Sequence, residues 1–142
     1  MGQAAYRAAA VAFMTEYATS AGIKLNWYPG RPRTVTPPHA FVDAIRETFS
    51  SFTESHYQGV PQVDVVVIFG TFDSKEAVDQ KDAFVDGFVA WAYARPHQSG
   101  SNTLIQVAST EDIPAFVNDW MPQPEQRPFF AVSITLEGFE TN

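Results

Sequence analysis

The sequence predicts an α+β fold in which two helices pack on a mainly antiparallel sheet, in the order α-β-β-β-α-β-β. Three observations carry this reading. Apolar residues recur at three- and four-residue spacings over residues 3–21 and again over about 74–94, the period of a helix. Residues 63–69 form a run dominated by Val and Ile, interrupted only by Asp64, as a buried strand requires. Residues 129–139 alternate apolar with polar side chains, which marks a strand with one face in the core.

In chain order, the first helix is expected to bury Ala5, Ala8, Ala9, Ala12, Phe13 and Tyr17, and Gly22 is expected to stop it. Ile23, Leu25 and Trp27 then alternate with polar neighbours, which predicts a strand over 23–28 closed by Pro29-Gly30. Residues 30–38 hold three prolines with Arg31 and Arg33 and read as an extended loop. The stretch 39–52 is ambiguous. Phe41, Ile45, Phe49 and Phe52 fit a helical stripe, yet Phe41, Ile45 and Phe49 also share the parity of one strand face. A strand over about 40–57 is the better choice, because Gln58-Gly59-Val60-Pro61 reads as a turn into the 63–69 strand and completes a hairpin. Asp73 and Glu76 form a capping box that opens the second helix. Its buried face is expected to be Val78, Phe84, Val85, Phe88, Trp91 and Ala92, with Pro96 beyond its end. A strand is expected over 102–109, a loop over 111–126, and the closing strand over 129–139. No repeat or linker divides residues 1–142, so a single domain is expected.

Composition narrows the function. With 16 Asp and Glu against 9 Lys and Arg, the formal charge is −7. That sign disfavours a nucleic-acid grip, whose affinity rests on neutralising phosphates. Direct DNA or RNA binding is not expected, though an acidic wall past which nucleic acid slides is compatible. Charged residues make up only 18% of the chain, so apolar groups must reach the surface, as they do where partners bind. There are no cysteines, which removes thiolate metal sites, disulfides and cysteine nucleophiles. The first 20 residues lack a cationic start followed by an unbroken apolar core, and no apolar run approaches the roughly 20 residues of a membrane span. A soluble protein made in a cytoplasm, with no membrane partner, is the expectation.

Catalytic constellations are not apparent. His39, His56 and His97 are scattered without metal-ligand spacing and read as surface or cap histidines. Asp79, Asp82 and Asp86 fall on one face of the second helix, where a hard cation could be held. A solvated acidic face softened by Lys75 and Lys81 explains them as well. No serine stands in a nucleophile elbow, and Gly70-Thr71-Phe72-Asp73 is a strand-to-helix turn and not a phosphate loop. The expectation is a non-enzymatic protein with no catalytic residue, metal or cofactor.

Two clusters instead suggest contacts with partners. One is Trp27-Tyr28-Pro29-Gly30-Arg31-Pro32-Arg33, aromatic and arginine side chains on a stiff loop, the types that dominate interface hot spots. The other places Phe116, Trp120 and Met121 in a proline-bearing loop. Candidate interface residues are therefore Trp27, Tyr28, Arg31, Arg33, Trp120 and Met121. Each cluster could equally cover the domain's own core.

The order of elements resembles the tail terminator subunits of long-tailed, siphovirus-type bacteriophages. The likeness is carried by Tyr28-Pro29-Gly30-Arg31-Pro32, by 37–43 leading into the next strand, by 70–73 leading into Ala77-Val78-Asp79-Gln80-Lys81-Asp82, and by 130–138. It spans most of the chain as a similarity of order and texture. The resemblance implies a non-catalytic virion protein of the tail and neck, made in the host bacterial cytoplasm. It implies a homo-oligomeric ring, of six subunits in that family, that caps the tail tube, joins it to the head-tail connector or head completion protein, and lets DNA pass through its lumen. Another neck component, such as a tail-completion or head-tail joining protein, would share this composition. A small α+β ligand-binding domain or enzyme is the alternative from a different class.

Overall fold

A computed structural model describes residues 3–28, 38–52, 57–71, 75–94, 104–115, 129–138 and 140–141. The elements are α1 (Gln3–Ser20), β1 (Asn26–Tyr28), β2 (His39–Phe52), β3 (Tyr57–Thr71), α2 (Lys75–Ala94), β4 (Leu104–Ala115), β5 (Phe129–Gly138) and the short β6 (Glu140–Thr141). The predicted α+β class and element order hold. The sheet runs β1-β2-β3-β5-β4, with β6 pairing β3 beyond the end of β5. Only the β1–β2 pair is parallel.

Both helices lie on one face of this sheet and run antiparallel to each other: Phe13 meets Phe88 and Trp91, while Tyr17, one turn later, meets Phe84. These edge-on ring contacts, with centroids 5.2–5.8 Å apart, fall in the favoured range for aromatic pairs. Beneath them lie Val63, Val65, Val67 and Phe69 of β3 and Val132, Ile134 and Leu136 of β5, all buried. The Tyr17 hydroxyl donates to the Phe84 carbonyl across the helix pair at 3.1 Å. Gly87 makes this approach possible, because a Cβ there would stand 2.5 Å from the Tyr17 oxygen.

The buried face of the first helix overlaps the expected one at Tyr17, Ala9 and Phe13 but is rotated from it. Tyr6, Ala10, Met14, Tyr17 and Ala18 are buried, and Ala8 and Ala12 are exposed. The larger side chains gain more from leaving water than the alanines do, so they set the rotation of the helix. Gly22, with φ of 73°, ends it as predicted. Ile23 N–H reaches back to Ala18 O and Gly22 N–H to Thr19 O, which is a Schellman motif and needs a residue at ease in the left-handed region.

Residues 39–52 are strand, and the hairpin forms, but not where the turn was expected. Gln58-Gly59-Val60-Pro61 belongs to β3, paired against residues 47–51 of β2, and the last pair of the hairpin is Phe52 with Tyr57. Pro61 stands opposite Glu47 of β2, and its ring withholds one backbone donor from the ladder without ending the strand. Nor do Phe41 and Ile45 share a face. The register shifts between Val42 and Ala44, so a bulge at Asp43 reverses the parity. Phe41 faces away from the helices and Ile45 packs under them.

Two further boundaries differ. Among the described residues only Asn26–Tyr28 of this stretch pairs as a strand, with the start of β2, while Ile23 and Leu25 pack on the core. Conversely, β4 continues to Ala115 through residues expected to be loop, pairing with β5 throughout. It is an edge strand, where Glu111, Asp112 and Pro114 are admissible. The second helix buries Ala77, Lys81, Phe84, Phe88 and Ala92, with Val78, Val85 and Trp91 half-buried. Its expected cap, Asp73, lies outside the described residues.

Candidate functional site

The segment that joins α1 to β2 is where the sequence-predicted contact residues and the clefts of the surface coincide. The Schellman turn sends the chain back across the end of α1, and Asn26 is then pinned to Pro38: its backbone N–H donates to the Pro38 carbonyl at 3.0 Å and its side-chain amide to the same oxygen at 3.4 Å. This holds β1 in parallel register with the start of β2, Trp27 opposite Ala40 and Tyr28 opposite Phe41. Both candidate aromatics are half-buried. Trp27 packs on the main core, and its buried indole N–H has no acceptor among the described residues. Arg31, Arg33, Trp120 and Met121 lie outside the described residues, as do Phe116, His56 and His97.

Two depressions flank this segment. A groove of about 400 Å³ runs between the last turn of α1 (Thr15, Ala18, Thr19) and Trp27. A larger cleft of about 710 Å³ opens between the C-terminal end of α1 and the first half of α2. Its walls are apolar, from Tyr17, Ile23, Phe69 and Phe84, and its polar groups are Lys24, Asn26 and Gln80. Burial raises the Tyr17 phenol above its ordinary pKa, so it remains a neutral hydrogen-bond donor. This lining suits capture of an apolar group with a polar end.

His39 is fully buried, which corrects the surface or cap reading. It shares parity with Phe41 on the face away from the helices, opposite Ile68. Desolvation pushes its pKa below the usual histidine value. The carboxylates Asp79, Asp82 and Asp86 are exposed along α2, and no group of three or more His, Asp or Glu is placed to hold a metal among the described residues. Asp82 is instead drawn to Lys81 at 2.5 Å, and Lys81 also reaches Asp112 on β4 at 2.9 Å. Burial alone would lower the Lys81 pKa, but hydrogen bonds and charge from these carboxylates outweigh it and the net shift is upward. Lys81 thus ties α2 to the sheet edge.

Sequence reasoning missed a second polar cluster. Arg46 forks onto Asp64 (2.6 and 2.9 Å), and Thr135 donates to the same carboxylate at 2.8 Å. Burial would raise the Asp64 pKa, yet these hydrogen bonds bring it below the ordinary value. The pattern follows from register: Asp64 stands opposite Ala44 and Thr135, two pairs from Arg46 and therefore on the same face. Reading it from the sequence would have required both the turn and the register shift between Phe49 and Ser51.

No family model matches the chain, and no curated protein matches it. Among the described residues no helix is long and apolar enough to cross a membrane.

Proposed function

We propose that this chain is a non-enzymatic structural subunit of a bacteriophage virion, a tail terminator. In this reading it forms a ring, of six copies by resemblance, that caps the tail tube, joins it to the head connector and lets DNA through its lumen. The observation that carries the reading is the fold: two antiparallel helices on one face of a mixed sheet, in the element order the resemblance implies. A formal charge of −7 supports it, since an acidic lumen would not retain DNA. The direct test mixes purified chain with polymerising tail-tube protein and follows tube length by negative-stain microscopy. The expected result is short tubes, each ending in a ring with a lumen. Tubes of unaltered length with bare ends would overturn the reading.

The cleft of about 710 Å³ favours a second reading, a small ligand-binding domain. A thermal-shift screen of small apolar carboxylic acids and phenols tests it. Saturable stabilisation of a chain that stays monomeric would favour this reading over the first.

A further inference from the structure

The second helix carries an anchor at one end and a receptor for it at the other. Tyr93 is 72% exposed, and among the described residues it is the only large hydrophobic side chain so open to solvent. Asp86 stands seven residues earlier, about two helical turns, so carboxylate and phenol share one face of α2. Phe84, nine residues before Tyr93 and half a turn out of phase, is buried. The Tyr93 face therefore points away from the sheet.

The cleft lies at the opposite end of the helix pair. Gln80, at its rim, precedes Tyr93 by 13 residues, about 20 Å along the helix axis, so the two cannot meet within one molecule. The cleft has the character a tyrosine needs. Aromatic and aliphatic walls can take the ring, and the exposed Gln80 amide can meet the hydroxyl. Lys24, the cation of the cleft, is exposed, as Asp86 is on the anchor face. Opposite charges beside an aromatic anchor match the two surfaces and select one docking orientation.

We propose that Tyr93 of one copy seats in the cleft of the next, with Asp86 brought against Lys24. The contact joins two different patches, so it repeats from copy to copy and produces a ring where the rotation closes. It rests on the ring reading above and supplies that ring with a subunit contact.

Two variants at exposed positions test it. Tyr93→Ala removes the anchor and keeps the cleft; Ala83→Glu puts a bulky carboxylate in the cleft wall and keeps the anchor. Sedimentation and native mass spectrometry should show each variant associating at least about 30-fold more weakly than the parent, as loss of a hot-spot residue does, with unchanged melting of the monomer. Tyr93→Phe should assemble nearly as the parent does. An equimolar mixture of the two variants should give a 1:1 heterodimer that grows no further, because only one anchor–cleft pair remains intact. A parent ring with both variants assembling normally would overturn the contact and leave the ring reading standing. Assembly lost in Ala83→Glu but kept in Tyr93→Ala would mean another group fills the cleft, and would also overturn it. A parent that is monomeric at every concentration would overturn both.

Discussion

On the helix side of the sheet, Val63, Val65, Val67 and Phe69 of β3 line up with Val132, Ile134 and Leu136 of β5 in one continuous buried layer. The far side of the same strands divides in two. Near the start of β2 it holds a small apolar cluster of Phe41, Val66, Ile68 and Ala131, all buried, with Ile113 partly covered. Further along, it carries the Arg46–Asp64–Thr135 cluster, where Arg46 is half-exposed. The comparison shows why β3 reads as it does. Around Asp64 the strand alternates because one face is polar; from Val65 to Phe69 it is apolar at both parities because both faces are buried. The helix side is a one-piece core, and the far side is core at one end and a polar ladder at the other.

Substitutions can break or sharpen this contrast. Phe84 sits between both helices and β3, so Phe84→Ala should lower the unfolding free energy by about 3–5 kcal/mol in urea denaturation. Phe41→Ala should cost about 3 kcal/mol if the far-side cluster is true core. A loss below about 1 kcal/mol would mean that this end of the far face is only lightly covered. Gly87→Ala pits a helix-propensity gain of about 1 kcal/mol against overpacking of the Tyr17 hydroxyl. The expected net is a loss of about 1–2 kcal/mol, restored when Tyr17→Phe removes the oxygen. A stabilised Gly87→Ala single variant would contradict the close helix approach.

The two ends of the far side should also separate by pH. His39 has a lowered folded pKa, so below about pH 6.5 the unfolded chain binds the proton first and stability falls. The slope is at most about 1.4 kcal/mol per pH unit, and His39→Gln should flatten it in melting curves taken from pH 7.5 to 5.5. Asp64, also with a lowered pKa, keeps its stabilisation above about pH 4 and loses it as pH drops through the folded value. Arg46 is half-exposed, so solvent screening limits this effect to about 1 kcal/mol or less. Asp64→Asn should remove only that acid limb and leave the His39 limb in place.

What the sequence revealed follows the same division. Elements that face the helix-side core carry a clean period: Phe84 and Phe88 announced α2, and Val132, Ile134 and Leu136 announced β5. Gly22 announced the end of α1 because the motif there requires a left-handed residue. Errors came where a local rule met a tertiary circumstance. Gly59 and Pro61 look like a turn until their pairing with Phe49 and Glu47 of β2 is known, and Glu111, Asp112 and Pro114 look like loop until β4 is seen at an edge. The bulge at Asp43 has no signature in a list of residues, so the parity of Phe41 and Ile45 could not be read. In the α1 stripe, alanine spacing competed with Tyr6 and Met14, and size decided. The site was legible only in part. Trp27 and Tyr28 stood out as aromatics beside prolines and arginines in the sequence, but the cleft joins Tyr17, Asn26 and Gln80, which are remote in sequence and meet only when β1 is pinned to Pro38.

The proposed closed ring is tested most directly by the mass of the protein in solution. Native mass spectrometry across a range of protein concentrations should show a dominant species at six times the 15.7 kDa chain, in equilibrium with monomer and with few larger species, because a closed ring leaves no free contact. A chain that stays at 15.7 kDa throughout, with and without tail-tube protein, would contradict the account.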